Sequence, residues 1–182
     1  NELLDSLGSQ NISHTIIYCT PQQINNVISI LSSRGLFFNK ITMKESTTPN
    51  KRYGGLSERD FILDNFAQGN FQVLLAMKCL DEGVDIPQAK NAILLASSGN
   101  PREYIQRIGR VIRRWENKNV ANIYDFLSEP NYENLGNELK EFELKIFNIE
   151  SKRALEIAKC SRNNAEVIEK ISLINKKAYG VF

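Results

Sequence analysis

Five short apolar runs punctuate the chain. They are Thr15–Cys19 (TIIYC), FFNKITM within Leu36–Met43, Phe71–Met77 (FQVLLAM), Asn91–Ala96 (NAILLA) and Val120–Phe126 (VANIYDF). Each is rich in β-branched or large apolar residues and short for a helix, so each reads as a strand. Between the early runs, apolar residues recur at helical steps: Leu3, Leu4 and Leu7 before Gly8; Ile24, Val27, Ile28 and Leu31 before Gly35; Ile62 and Phe66, with Phe61 beside them, before Gly69. Thr20–Pro21 opens the second helix as N-cap and first turn. Ser57 with Asp60 opens the third in capping-box style. Strands that are apolar throughout, alternating with amphipathic helices, predict an α/β fold: a doubly wound parallel sheet with helices on both faces and right-handed crossovers.

From about Asn131 the pattern changes. Leu135, Leu139, Phe142, Ile146 and Ile149 repeat at steps of four and three, which predicts one long amphipathic helix reaching toward Lys159. Val167, Ile171 and Ile174 predict a second helix after the Arg162–Asn164 break. The chain therefore divides into an α/β lobe, residues 1–130, and a helical extension, residues 131–182. The extension either packs on the lobe or docks onto another domain through its leucine/isoleucine stripe.

Composition narrows the function. The 182 residues suffice for one core and an appendage. A net charge of +2 makes the molecule no polycation, so attraction to nucleic acid has to come from a local patch. Cys19, Cys79 and Cys160 are odd in number and far apart, with neither zinc-ligand spacing nor a disulfide framework. Cys19 and Cys79 lie in apolar runs and read as buried reduced thiols, which fits a cytoplasmic protein. No stretch approaches the roughly 20 apolar residues of a membrane span and no signal peptide is visible, so no membrane partner is expected. The one histidine, His14, precedes the first strand, and no metal site is expected.

In doubly wound folds ligands gather at the carboxyl ends of strands, so residues just after each strand deserve inspection. After FQVLLAM comes KCLDEGVDIPQAK, where Asp81, Glu82 and Asp85 surround Gly83. Alone, this is equally a turn with solvated carboxylates. After NAILLA comes SSGNPREY, whose Ser97, Ser98 and Gly99 are able to donate hydrogen bonds to a phosphate. It leads into Tyr104–Arg114, YIQRIGRVIRR. As a helix, this segment sets Arg107, Arg110 and Arg113 roughly along one face and Ile105, Ile108 and Ile112 on a buried one. Arginine stays charged and matches phosphate geometry, yet an isolated cluster of this kind is also a solvated basic face.

Taken together, LLAMKCLDEGVDIP followed downstream by REYIQRIGRVIRR resembles motifs V and VI of superfamily-2 helicases. TIIYCT resembles their motif IV, and SERDFILDNFAQGNFQVLLA the stretch leading into motif V. The resemblance covers roughly residues 12–127 and is to the second RecA-like lobe. The DEGVDIP form is closer to the restriction-enzyme and repair-helicase branch than to the DEAD-box branch. It implies a RecA-like doubly wound sheet and ATP, with Mg²⁺, bound in a cleft between two lobes and held mainly by the first. By motif position the arginine fingers are Arg110 and Arg113. Gln106 lies near the γ-phosphate or the facing lobe. Asp85 accepts from the ribose, and Gly83 allows close backbone approach. Arg107 and Arg114 read as structural ion-pair partners. For nucleic acid, the resemblance implies backbone contacts from Thr20, Ser98 and motif V. Many relatives carry Thr or Ser where this chain has Met77, which cannot donate a hydrogen bond. Lys78 or backbone amides take over that contact, or it is absent. The expected polymer is DNA in preference to RNA.

No GxxxxGK[ST] sequence and no DExx[HD] strand end occur. With the start at Asn1, this reads as a fragment or as a chain acting with a separate N-terminal helicase lobe, inactive alone. The alternative is a non-catalytic helicase-like module binding nucleic acid or protein.

Overall fold

The computed structural model describes residues 2–8, 11–77, 86–95, 108–109, 111, 113–116, 118–130 and 136–179. They fall into two compact units that divide between Tyr124 and Asp125.

The first unit is built on a five-stranded sheet, order β2-β3-β1-β4-β5. The strands are β1 (Thr15–Tyr18), β2 (Phe38–Ile41), β3 (Val73–Ala76), β4 (Asn91–Leu94) and β5 (Asn122–Asp125), each inside one of the five apolar runs. The pairs β1/β3, β1/β4 and β2/β3 are parallel, with Tyr18 opposite both Ala76 and Leu94. Every residue of β1, β3 and β4 is buried, as a sheet covered on both faces requires. β2 is an edge strand and exposes Asn39 and Lys40. The helices are α1 (Glu2–Leu7), α2 (Ile24–Ser33) and α3 (Glu58–Ala67).

The chain steps outward from β1 to β2 and back to β3. Right-handed crossovers therefore place α2 and α3 on opposite faces. On one face Ile17, Cys19, Val73, Leu75 and Ile93 pack with Val27 and Leu31 of α2 and Leu4 of α1. Strand alternation turns Ile16, Tyr18, Leu74 and Ala76 the other way, toward the side of α3, whose Ile62 and Phe66 are buried. Ser57 caps α3: its Oγ accepts from Asp60 N–H at 3.0 Å and donates to the Asp60 carboxylate at 2.7 Å. Gly69 closes it with a φ of +79°, where any Cβ would also meet the His14 ring at 3.5 Å.

The second unit holds two helices, α4 (Asn137–Ala158) and α5 (Asn164–Tyr179). Phe147, Ala154 and Ile171 form its core, with Leu155, Val167 and Ile174 packed around them. This differs from the stripe expected for α4: Leu139, Phe142 and Ile149 are 56%, 60% and 48% exposed. The packed face is instead Phe147, Ser151, Ala154 and Ala158. Length gives part of the reason. α5 has 16 residues against 22 in α4, and after a tight turn it spans about 24 Å, leaving the first turns of α4 beyond its reach. Arg153 and Asp125 form a bidentate pair in this unit, 2.9 and 3.0 Å, and Arg153 also donates to Phe126 O. Burial pushes the Asp125 carboxyl up, and Arg153 pulls against it.

Candidate functional site

At the carboxyl edge, the register carries one row of residues just past the strands: Thr42, Met77, Cys19 and Leu95. Backbone bonds continue through it, Cys19 N–H to Ala76 O (3.1 Å), Leu95 N–H to Tyr18 O (2.9 Å) and Met77 N–H to Ile41 O (3.2 Å). Thr20 follows directly and is half-buried. It caps the turn at residues 21–23: its Oγ1 accepts from Gln23 N–H (3.3 Å), and its own N–H donates to Gln23 Oε1 (2.9 Å). That is a reciprocal Thr-x-x-Gln capping box. The regular helix begins at Ile24 rather than at Pro21. Gln23 Nε2 also donates to Leu95 O at 3.2 Å, tying this turn to the end of β4. The side chain of Met77 packs against the α2-side core, and its thioether has no proton to offer a phosphate. Burial raises the Cys19 thiol to about 11, so it stays an unreactive packing group.

The second assembly is at the opposite, amino edge. His14 O accepts from Lys90 N–H (2.8 Å), and Lys90 O accepts from Asn122 N–H (2.9 Å). The turn Ile86–Lys90 thus sits where β1, β4 and β5 begin. Ile108 and Val111 of the arginine segment are buried, and the described residues Ile108, Gly109 and Val111 are helical. Lys118 Nζ donates to Pro87 O, Val111 O and Ala89 O, which brings the Val111–Lys118 stretch to this same edge. Arg113, in that stretch, is exposed. The acidic-glycine turn expected just after β3, residues 78–85, lies outside the described residues. By Ile86 the chain has crossed to the amino edge.

Buried Asn91 knits this edge. Its amide donates to Asn11 O (3.2 Å) and Thr15 Oγ1 (3.0 Å), and its oxygen accepts from Asn122 Nδ2 (3.0 Å). A polar cleft of about 490 Å³ beside it is lined by Lys90, Asn91, Lys118, Asn119 and Asn122, among others. Asn91, Asn122 and Lys118 commit polar atoms to the protein, so the cleft reads as a hydrated seam. His14 stands nearby, its Nε2 3.3 Å from Ala67 O and its ring edge-on to Phe66 at 5.7 Å. Its Nδ1 is buried and has no hydrogen-bond partner among the described residues. Burial, ahead of the opposing Ala67 bond, holds the imidazole below its ordinary range.

Of the residues singled out from the sequence, Thr20 and Arg113 are placed, at opposite edges of the sheet. Gln106, Arg110, Gly83, Asp85, Lys78 and Ser98 lie outside the described residues. Gln23 and Lys118 escaped the sequence reading. The Thr-x-x-Gln spacing signals Gln23, and nothing local signals Lys118. Among the described residues, no three His, Cys, Asp or Glu side chains cluster to hold a metal, and no helix is long and apolar enough to cross a membrane.

Comparison with known proteins adds five findings. The family profile "helicase conserved C-terminal domain" matches residues 2–114. The chain is similar to the DNA 3'-5' translocase XPB2 of Sulfurisphaera tokodaii, 42% identical over 57 residues, 31% of this chain and 13% of that protein. It is similar to nucleolar RNA helicase 2-B of Xenopus laevis, 30% identical over 113 residues, 61% of this chain and 13% of that protein. The matched segments thus span a small part of these relatives' length. Among solved structures, the C-terminal domain of the DEAD-box protein Dbp5 superposes with a TM-score of 0.57 at 24% identity, covering 93% of this chain and 85% of that one. The C-terminal part of the Fun30 ATPase domain superposes with a TM-score of 0.58 at 14% identity, covering 86% and 51%. Both have the RecA-like fold observed here.

Proposed function

Because the chain belongs to the helicase conserved C-terminal domain family, as a second RecA-like lobe of superfamily 2, we propose that it forms half of an inter-lobe ATP site in a nucleic-acid translocase. One observation supports this most: Arg113 is exposed on a stretch that Lys118 ties to the turn beginning at Ile86, directly after the GVD sequence. The residues that follow GVD, Pro87 and Ala89, thus adjoin Val111 of the arginine segment through Lys118. In this reading Arg110 and Arg113 neutralise charge on the transferred phosphoryl group, a contribution of about 10³–10⁵ in rate. Gln106 faces the γ-phosphate, and Asp85 and Gly83 receive the ribose. ATP, when bound with Mg²⁺, would supply the phosphoryl group. In this reading a first lobe would supply that ion's ligands.

In this reading Thr20 at the carboxyl edge, together with Lys78 and Ser98, contacts the strand backbone. DNA is the proposed polymer, supported by the DEGVDIP form and the likeness to a DNA translocase; a competition between DNA and RNA strands tests that choice. Lobe closure on ATP would change the grip on the strand and convert hydrolysis into movement. The decisive experiment measures single-strand affinity of the two-lobe assembly with and without a non-hydrolysable ATP analogue. The proposal expects the analogue to shift the affinity. Salt-dependent binding indifferent to nucleotide would favour the non-catalytic module instead.

A further inference from the structure

Lys118 lies in the polar stretch WENKNV between the arginine segment and β5. Its ammonium has three protons, and among the described residues three backbone carbonyls accept from it: Pro87 O at 2.5 Å, Val111 O at 2.7 Å and Ala89 O at 2.9 Å. Two acceptors belong to the turn entering β4. The third belongs to the helical segment two residues before Arg113. Lys118 N–H also donates to Trp115 O at 2.6 Å, closing an isolated bridge between Trp115 and Lys118. The stretch from Val111 to Lys118 is therefore a loop tied at its base, with exposed Arg113 inside it. Hydrogen bonds from a charged donor are stronger than neutral ones. A compact ammonium with divergent protons suits three carbonyls arriving from different directions, where a planar guanidinium does not.

We infer that Lys118 is a positioning residue for phosphoryl transfer: it locks the Arg113 loop onto the Pro87–Ala89 turn, holding the arginine in place before the lobes close. This rests on the reading of Arg113 given above. Arginine on an unanchored loop samples many positions, and displacement of a reacting group by about 1 Å costs on the order of 100-fold in rate.

The test has two readouts. In the 182-residue chain, Lys118→Met is expected to speed amide hydrogen exchange at 111–118 about tenfold or more, with β1 and β3 amides unchanged. In the chain joined to a P-loop-bearing first lobe, the same change lowers kcat for ATP roughly 10- to 100-fold and leaves KM within about twofold, since the first lobe holds the nucleotide. Lys118→Arg, which keeps charge and donors, falls between wild type and Lys118→Met. Combined with Arg113→Ala, Lys118→Met adds no further loss, because both act through one group. Wild-type kcat in Lys118→Met overturns the inference. So does loss of β1 and β3 protection, which would make Lys118 a plain stability element. A wild-type assembly without ATP turnover overturns the parent reading and with it the catalytic role, while exchange still decides whether the clasp exists.

Discussion

The two edges of the sheet are built differently. At the carboxyl edge, among the described residues, the side-chain bonds are mostly local, Thr20 with Gln23 and Thr42 with Glu45, and Gln23 alone reaches another strand end, at Leu95 O. At the amino edge, Asn91 joins Asn11, Thr15 and Asn122, and Lys118 joins Pro87, Ala89 and Val111. Buried polar groups that are fully satisfied rigidify what they connect. The edge proposed to hold phosphoryl-facing arginine is thus the knitted one, where position matters most. At the edge proposed to track a polymer backbone, the described bonds hold single turns such as Thr20–Gln23 and Thr42–Glu45.

Four substitutions break or sharpen this division. The largest effect belongs to Arg113→Ala in the two-lobe assembly: a loss of about 10³–10⁵ in kcat, or about 4–7 kcal/mol of barrier, read in steady-state ATP hydrolysis. Next is Asn91→Leu, which strands several partners at the amino edge and is expected to cost about 1–3 kcal/mol in urea unfolding. Gln23→Leu at the half-buried carboxyl turn should cost about 0.5–1.5 kcal/mol; equal losses would erase the contrast. Thr20→Val is expected to weaken single-strand binding by about 1 kcal/mol, roughly fivefold in Kd. If Thr20→Val instead acted on turnover and Arg113→Ala on strand affinity, the edges would be assigned the wrong way round.

The smallest effect is a pH dependence at the amino edge. His14 is the one histidine, and burial depresses its folded pKa below the ordinary 6.5. The unfolded chain therefore takes up the proton first. Stability is full above about pH 6.5 and is lost as pH falls through the depressed folded value. His14→Asn, suited to the φ of +48° there, should flatten the stability profile in that window.

Much of this fold is legible in the residues. TIIYC, FQVLLAM and NAILLA announce strands because a strand covered on both faces needs an apolar side chain at every position. Ser57 with Asp60 marks a helix start that the hydrogen bonds reproduce. The α4 face was harder to read. Its sequence carries more than one apolar arc, and periodicity cannot say which arc a partner covers. The amino-edge position of the Ile86–Lys90 turn was illegible for a geometric reason. Counting from the end of β3 does not reveal that the chain has crossed the sheet by Ile86. Lys118 was illegible because its acceptors are backbone carbonyls, which leave no trace in residue identity.

ATP hydrolysis by the purified 182-residue chain, alone and joined to a P-loop-bearing first lobe, tests the central claim most directly. The account predicts no turnover above background for the chain alone, and turnover in the joined protein that collapses with Arg113→Ala. Robust turnover by the chain alone, abolished by Arg110→Ala, would contradict the half-site.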